Sequence, residues 1–186
     1  MKQTYKDIPG EMCDFHDYYK KIAKWLPDNS RIVEVGVADG HSAIFLAETL
    51  ASLGKSFDMY LIENMDYGGD TQANTIMRNI IRSGLGESIT LIQSGSLDAS
   101  CKWPDNWAHF VFIDASHKYE ETKADIRLWY RKVMDDHILA GHDMNQSEGN
   151  EVWRAVNEVI PSAEIIETKK ELGVWQVVKK WSLQPL

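Results

Sequence analysis

Cysteine is scarce in this chain. Only Cys13 and Cys101 occur among 186 residues, and they lie far apart and outside any CxxC spacing. A disulfide framework or a zinc site built from clustered cysteines needs more thiols at closer spacing, so the count argues against both. The simplest inference is a protein of a reducing compartment.

Positive charge and long apolar runs are also lacking. Lys and Arg number 20 against 28 for Asp and Glu, which gives a net charge of −8, and no basic run stands out. Nucleic acids and anionic membrane surfaces bind proteins that concentrate positive charge on one surface, so neither is an expected partner. No apolar run approaches 18 residues, and the polar N-terminus lacks the apolar core of a signal peptide. We expect a cytoplasmic protein.

What the chain does contain is an alternation of short β-rich runs with helical patterns, typical of a parallel sheet covered on both faces. We predict one domain over 1–186, with an N-terminal helical segment at 1–30 and a Rossmann-like core at 31–179. The predicted strands of the core are Arg31 to Gly36, Asp58 to Glu63, Ile89 to Gln93, His109 to Asp114 and His137 to Gly141.

Helical periodicity fills the intervals between these strands. The predicted helices are Tyr18 to Leu26, His41 to Leu53, Thr71 to Arg82, Tyr119 to Val133 and Glu151 to Ile160. Beyond them, Ala163 to Glu167 and Val174 to Lys179 are strand-like runs whose link is too short for a helical crossover. The predicted fold is therefore α/β, a seven-stranded, mostly parallel Rossmann-like sheet with helices on both faces and a C-terminal antiparallel hairpin.

The loop after the first strand combines glycines with acids. In VEVGVADGHS, Gly36 and Gly40 allow a tight turn and a close approach to a ligand. Their spacing is GxxxG, whereas dinucleotide folds use GxGxxG, and Glu34 and Asp39 would repel a pyrophosphate at this helix start. A ligand that carries positive charge suits the loop better. S-Adenosylmethionine, with a sulfonium and an ammonium group, is such a ligand.

The second and third strands end in residues that suit an adenosine. Glu63 lies 23 positions after Gly40, about where a carboxylate accepts hydrogen bonds from ribose hydroxyls in adenosine-binding folds. The third strand ends in a small polar turn, Ser94 to Ser96, suited to the edge of an adenine ring. These features do not by themselves separate the methyl donor from NAD.

Five stretches in register carry a family resemblance. They are EVGVADGHS, LIEN, NIIRSGLGESITLIQSGS, FVFIDASHKYEETKADIRLWY and ILAGHDMN. Their order resembles the class I S-adenosylmethionine-dependent methyltransferases, above all the small-molecule branch with "IDxxHxYE" and "GHD" motifs, from about Arg31 to Lys179. The resemblance implies a cofactor site formed by Glu34, Gly36, Gly40, Ser42, Glu63, Ser94, Gly95, Ser96 and Asp114. Many relatives place an acid where this chain has Gly95.

Four polar residues follow the fourth and fifth strands and are expected to converge: Asp114, His117, His142 and Asp143. Relatives with acids at these strand ends hold a divalent cation, which implies a metal site of Asp114, His142 and Asp143. An imidazole among its ligands favours a softer ion than magnesium. His117 or His142 is the predicted catalytic base, with His117 favoured because it opens the following helix. The alternative is structural: His117 near a helix cap, His142 and Asp143 bonding the loop backbone.

The leading hypothesis is methyl transfer from S-adenosylmethionine to a hydroxyl of a small molecule, such as a sugar or a natural-product intermediate, with a divalent metal as a further option. Two alternatives stay open. One is a methyltransferase-like binding module without turnover, and the other is an NAD(P)-dependent reductase, against which the missing GxGxxG argues. No pattern in the sequence predicts the oligomeric state or the identity of the acceptor.

Overall fold

The computed structural model of the chain describes residues 3–10, 13–66, 68–144, 149–166, 168 and 173–180. The strands are β1 Ser30–Val35, β2 Phe57–Glu63, β3 Ile89–Gln93, β4 Ala108–Ile113, β5 Val133–Gly141, β6 Glu164–Ile166 and β7 Val174–Val178. The α-helices are α1 His16–Trp25, α2 His41–Ser52, α3 Gly69–Ser83, α4 Ser96–Ser100, α5 Tyr119–Lys132 and α6 Glu151–Val159. A 3₁₀ turn, Tyr5–Asp7, precedes them.

The seven strands form one sheet in the order β3-β2-β1-β4-β5-β7-β6. Strands β1 to β5 pair in parallel, while β7 is antiparallel to both β5 and β6. The predicted fold class is confirmed, including the terminal hairpin. Chain direction across the sheet reverses between β1 and β4, and in open α/β sheets ligands bind at such a reversal, beyond the carboxyl ends of the strands.

Two apolar layers pack on the two faces of the sheet. Residues of α1, α2 and α3 fill the first, with Tyr19, Leu46 and Ile76 fully buried or nearly so. Residues of α4, α5 and α6 fill the second, where Trp129 and Ala155 are fully buried. Because side chains alternate along a strand, β1 sends successive residues into opposite layers. This alternation decides which loop residues face the cleft at the end of the sheet.

Element boundaries differ from the predicted ones at several points. Ser96, predicted to lie in a turn, begins α4, and Val133, predicted to end a helix, begins β5 because its backbone is extended and pairs with Ala108. Helix α1 ends at Trp25, since Leu26 precedes a proline and takes an extended conformation. Residues 167 and 169–172 of the predicted hairpin, and the ends of the predicted domain 1–186, lie outside the described residues. None of the described helices is long and apolar enough to cross a membrane.

Candidate active site

A cleft of about 1010 Å³ opens at the carboxyl ends of β1, β2 and β4, at the reversal point of the sheet. Its volume lies at the upper end of the roughly 300–1,000 Å³ usual for small-molecule pockets. Six residues predicted from the sequence line it: Gly36, Glu63, Ser94, Ser96, Asp114 and His117. Three others, Gly40, Ser42 and Gly95, lie outside the lining that the described residues form, although each adjoins a residue of it or of the glycine loop.

The two glycines of the loop are needed for different reasons. Gly36 has φ +82°, and a Cβ there would lie 2.1 Å from the carbonyl oxygen of Asp114, so no side chain fits between the ends of β1 and β4. Gly40 has φ +85° but open surroundings, so its requirement is conformational alone. The close approach at Gly36 brings Asp114 to the edge of the glycine loop.

Glu63 ends β2 and holds the glycine loop. Its Oε2 accepts hydrogen bonds from the backbone amides of Val37 at 2.9 Å and Ala38 at 3.2 Å. The residue is largely buried, yet it lines the cleft. Its Oε1 accepts a longer hydrogen bond, at 3.4 Å, from the backbone amide of Met65. A carboxylate keeps acceptor capacity beyond these three bonds, which leaves it able to meet ligand hydroxyls.

Glu34 lies on the opposite face of β1. Its side chain is buried in the layer formed by α1 and α2, where it accepts hydrogen bonds from the hydroxyls of Tyr19, at 3.0 Å, and Ser42. Burial raises the pKa of Glu34 to about 8, although those two hydrogen bonds act in the other direction. This predicted residue therefore lies behind the cleft and is not among the described residues that line it.

The ends of β4 and β5 bring together the four predicted polar residues Asp114, His117, His142 and Asp143, which we call the acid–imidazole group. His117 Nε2 lies 2.9 Å from Asp143 Oδ2 and 3.9 Å from Asp114 Oδ1. His142 Nδ1 lies 3.5 Å from Asp143 Oδ2 and 3.7 Å from Asp114 Oδ1. A second cavity of about 10 Å³, lined by all four residues, has room for one water-sized particle.

A residue that the sequence patterns missed completes this group. Asp14, just before α1, places Oδ1 2.8 Å from His142 Nε2, and both side chains are almost fully buried. Burial disfavours a charged imidazole, but hydrogen bonds to Asp114 and Asp143 outweigh burial and raise the pKa of His142 to about 10. Asp14 lies 128 positions from its partner in a stretch without a motif, so no sequence pattern indicated the pair.

The set of potential metal ligands at the ends of β4 and β5 differs from the predicted one. Among the described residues, Asp114, His117 and Asp143 offer ligand atoms that all lie within 4.8 Å of one another. The sequence predicted His142 in place of His117. His142 is bound to Asp14 through Nε2, whereas the His117 side chain is 59% exposed and lines the cleft. Hydrogen bonding to Asp143 raises the pKa of His117 despite its partial burial.

A second missed residue lies at the far end of the cleft. Asp125 on α5 lines the cleft but is only 7% exposed. Burial raises the pKa of Asp125 to about 6, while a hydrogen bond to Ser96 favours its ionised form. Ser96 in turn accepts a 2.8 Å hydrogen bond from Trp129 Nε1. The sequence does contain a signal for Asp125. It is an acid on the apolar face of a helix, four residues before the buried Trp129.

A methyltransferase-domain family model matches residues 33–144 of this chain, which is more than half of its length. The chain belongs to this family of methyltransferases. The match runs from β1 through the acid–imidazole group, and it confirms the predicted enzyme class, with S-adenosylmethionine as methyl donor. The reductase alternative is set aside by the same finding. A search of curated proteins finds no match.

Solved structures share the fold at low sequence identity. The cofactor-bound protein Rv0187 from MTB superimposes with a TM-score of 0.72 at 16% identity, covering 94% of this chain and 84% of that one. An O-methyltransferase from Bacillus cereus in complex with SAH gives 0.66 at 18%, covering 93% and 83%. An S-adenosylmethionine-dependent O-methyltransferase from Thermotoga maritima gives 0.66 at 17%, covering 90% and 66%. At identities of 16–18%, these superpositions show a shared fold alone.

Proposed function

We propose that this methyltransferase transfers the methyl group to a hydroxyl oxygen of a small molecule, such as a sugar or a natural-product intermediate. The observation that carries the proposal is the convergence of Asp114, His117 and Asp143 beside the cofactor cleft. Two of the fold neighbours are named as O-methyltransferases, which supports oxygen as acceptor. A net charge of −8 disfavours a nucleic-acid acceptor.

The donor is proposed to lie across the carboxyl ends of β1, β2 and β3. Glu63 would accept hydrogen bonds from the ribose hydroxyls, and the turn at Ser94 to Ser96 would border the adenine. The methionine portion would run along Gly36 and Gly40 towards Ser42, with Glu34 supporting the Ser42 hydroxyl from behind. This placement directs the methylsulfonium towards Asp114.

Asp125 is proposed to supply the adenine contact that Gly95 cannot make. Its carboxylate lines the cleft beside Ser96 and would accept a hydrogen bond from the exocyclic amine of adenine. In relatives with an acid in the turn after β3, that acid supplies the negative charge from an earlier position in the chain. In this chain α5 would provide it from the other side of the same pocket.

Methyl transfer from a sulfonium is an in-line displacement, so the enzyme must align the acceptor oxygen and remove its proton. We propose His117 as the base, because it is the imidazole that reaches the cleft, and Asp143 at 2.9 Å as the residue that orients it. His142, buried and held by Asp14, is proposed as a positioning residue for Asp114 and Asp143. The sequence also suggested His142 as the base, but its side chain is buried and is poorly placed to reach an acceptor.

The acid–imidazole group also fits a divalent cation. Two carboxylates and one imidazole within 4.8 Å, beside a cavity of about 10 Å³, form an oxygen-rich donor set with one nitrogen. Asp114 and Asp143 would hold the ion together with His142 if His117 acts as the base, or together with His117 if the ion alone activates the hydroxyl. A cation there would lower the pKa of an acceptor hydroxyl.

The test is methyl transfer from S-adenosylmethionine to a panel of phenols, sugars and amines, after chelation and again after adding Mg²⁺, Mn²⁺ or Zn²⁺. The proposal expects methylated hydroxyls, with turnover reduced at least about 100-fold by His117→Gln, the usual contribution of a general base. Asp105→Asn, on the exposed surface away from the cleft, serves as the control. Unchanged turnover after chelation would remove the cation from the proposal.

The alternative without turnover is decided by the same assay. If S-adenosylmethionine binds but no member of the panel is methylated with any ion, the chain acts as a cofactor-binding module. Methylation of amines alone would replace oxygen by nitrogen as the acceptor and leave the assignment of the donor cleft intact.

A further inference from the structure

A second cluster of potential ligands lies outside the acid–imidazole group. Cys13, His16 and His41 present atoms that all lie within 4.8 Å of one another, and each residue is partly buried. His16 Nε2 lies 2.9 Å from His41 Nε2 and 3.8 Å from Cys13 Sγ. We call these three residues the Cys–His–His cluster. It joins the segment before α1 to the first residue of α2.

We propose that the Cys–His–His cluster is a zinc site. With Zn–N bonds of about 2.0–2.1 Å and a Zn–S bond of about 2.3 Å, tetrahedral coordination places two nitrogens roughly 3.3 Å apart and a nitrogen and sulfur roughly 3.6 Å apart. The 2.9 Å and 3.8 Å separations differ from these values by a few tenths of an ångström. Small side-chain rotations therefore suffice to surround the ion.

The imidazole of His41 is oriented as metal-binding histidines usually are. Nδ1 of His41 lies 2.9 Å from the carbonyl oxygen of Ile8, to which it donates, so Nε2 keeps its lone pair towards the cluster. Tyr5 packs against both imidazole rings with centroids 5.4 Å apart, and Phe45 packs on His16 at 4.3 Å. A Cβ at Gly10 would collide with the His41 ring, so the chain passes closely over it. These contacts fix the ring directions before any ion binds.

Zinc suits this donor set better than magnesium or calcium does. Burial raises the pKa of Cys13 to about 12, so the thiol would have to lose its proton to the ion on binding. The resulting thiolate and the two imidazoles are soft to borderline ligands, whereas Mg²⁺ and Ca²⁺ take oxygen. Three protein ligands leave a fourth position for water or a ligand. The cysteine spacing that argues against a zinc site takes no account of histidines: His16 lies three residues from Cys13, and His41 reaches the cluster only through the fold.

The cluster adjoins the cofactor loop. His41 is followed by Ser42, whose hydroxyl bonds Glu34, and the segment of Cys13 also carries Asp14, the partner of His142. A bound zinc ion would therefore tie the segment before α1 to the start of α2, next to the loop that the proposed function assigns to the donor. We expect zinc to stabilise this arrangement and so the folded protein.

The test is titration of the metal-free protein with Zn²⁺ against a chromophoric chelator, followed by Co²⁺ substitution. The wild type is expected to bind Zn²⁺ and, with Co²⁺, to show a thiolate-to-metal charge-transfer band. Cys13→Ser and His16→Asn are expected to weaken zinc binding at least 100-fold, and Cys13→Ser to abolish the band. Cys101→Ser, at the exposed second cysteine, controls for thiol loss, and Asp143→Asn controls for the acid–imidazole group. Circular dichroism checks that each variant folds.

Two results would overturn the zinc site. One is a charge-transfer band that survives in Cys13→Ser, or a zinc affinity that survives in the double variant Cys13→Ser/Asp143→Asn, in which the acid–imidazole group also lacks a ligand. The other is zinc binding that is lost in Asp143→Asn and kept in Cys13→Ser, which would place the ion in the acid–imidazole group. The second result would support the cation proposed for the acid–imidazole group, whereas methyl transfer itself is measured in the separate assay with the acceptor panel.

Discussion

Glu34 illustrates at the scale of a single residue what the sequence could predict and what it could not. Its position beside Gly36 suggested an acid facing the ligand. Alternation along β1 sends Val33 and Val35 into one layer and Glu34 into the other, where Tyr19 and Ser42 bind it. Burial raises the pKa of Glu34 to about 8, and the residue lies behind the cleft, which is lined by other acids, among them Glu63, Asp114 and Asp125.

The burial of Glu34 predicts a pH dependence of stability. Its pKa is higher in the folded state than the ordinary 4.5, so its contribution is complete below pH 4.5 and is lost as the pH rises towards and beyond 8. Glu34→Gln keeps one acceptor oxygen for Tyr19 or Ser42, presents an N–H donor to the other hydroxyl and cannot ionise. As the pH rises from 5 to 9, the free energy of unfolding of the variant should increase by a few kcal/mol relative to that of the wild type. Urea unfolding at several pH values measures this; parallel profiles would contradict it.

Asp125 yields a prediction about donor recognition. If its carboxylate accepts a hydrogen bond from the adenine amine, wild-type protein should bind S-adenosylhomocysteine more tightly than S-inosylhomocysteine, which lacks that amine. A lost hydrogen bond to a charged group corresponds to roughly 10-fold or more in affinity. In Asp125→Ala the preference should vanish, as calorimetry with both ligands would measure. Equal preference in variant and wild type would place the amine elsewhere.

At the scale of elements, Gly36 joins the ends of β1 and β4 in a way that permits no side chain. Gly36→Ala should lower the free energy of unfolding by more than about 2 kcal/mol, because it adds a positive-φ penalty to a collision with the Asp114 carbonyl. Gly95→Ala is the matched control, since a Cβ there meets nothing within 4 Å and its φ is −63°. Urea denaturation of both variants tests the claim, and similar losses would refute it.

Elements with a clear period were predictable, and those fixed by neighbours were not. Strand β3 has the predicted ends and α5 the predicted start, because the β-rich run and the amphipathic pattern define them locally. Helix α4 has only five residues, too few for a period, and Val133 joins β5 through pairing with Ala108. The bond of Asp14 to His142 depends on the docking of α1, which no local pattern encodes.

At the scale of the whole molecule, donor binding should stabilise the fold. A ligand present at 100 times its Kd adds about 2.7 kcal/mol to the free energy of unfolding if it binds only the folded state. S-Adenosylhomocysteine is therefore expected to raise the Tm of the wild type. The increase should be much smaller in Glu63→Gln, which still accepts the amide bonds of Val37 and Ala38 but loses the charge for the ribose hydroxyls. An equal increase in both would exclude Glu63 from the donor site.

The proposed chemistry is tested most directly by the fate of the methyl group. S-Adenosylmethionine labelled with ¹³C in its methyl group is incubated with the protein, divalent ions and the acceptor panel, and the product is examined by NMR. The proposal predicts a methoxy resonance that grows in the wild type and is nearly absent in His117→Gln, while both proteins bind the donor. An N-methyl or C-methyl resonance, or a methoxy signal that His117→Gln leaves unchanged, would contradict it.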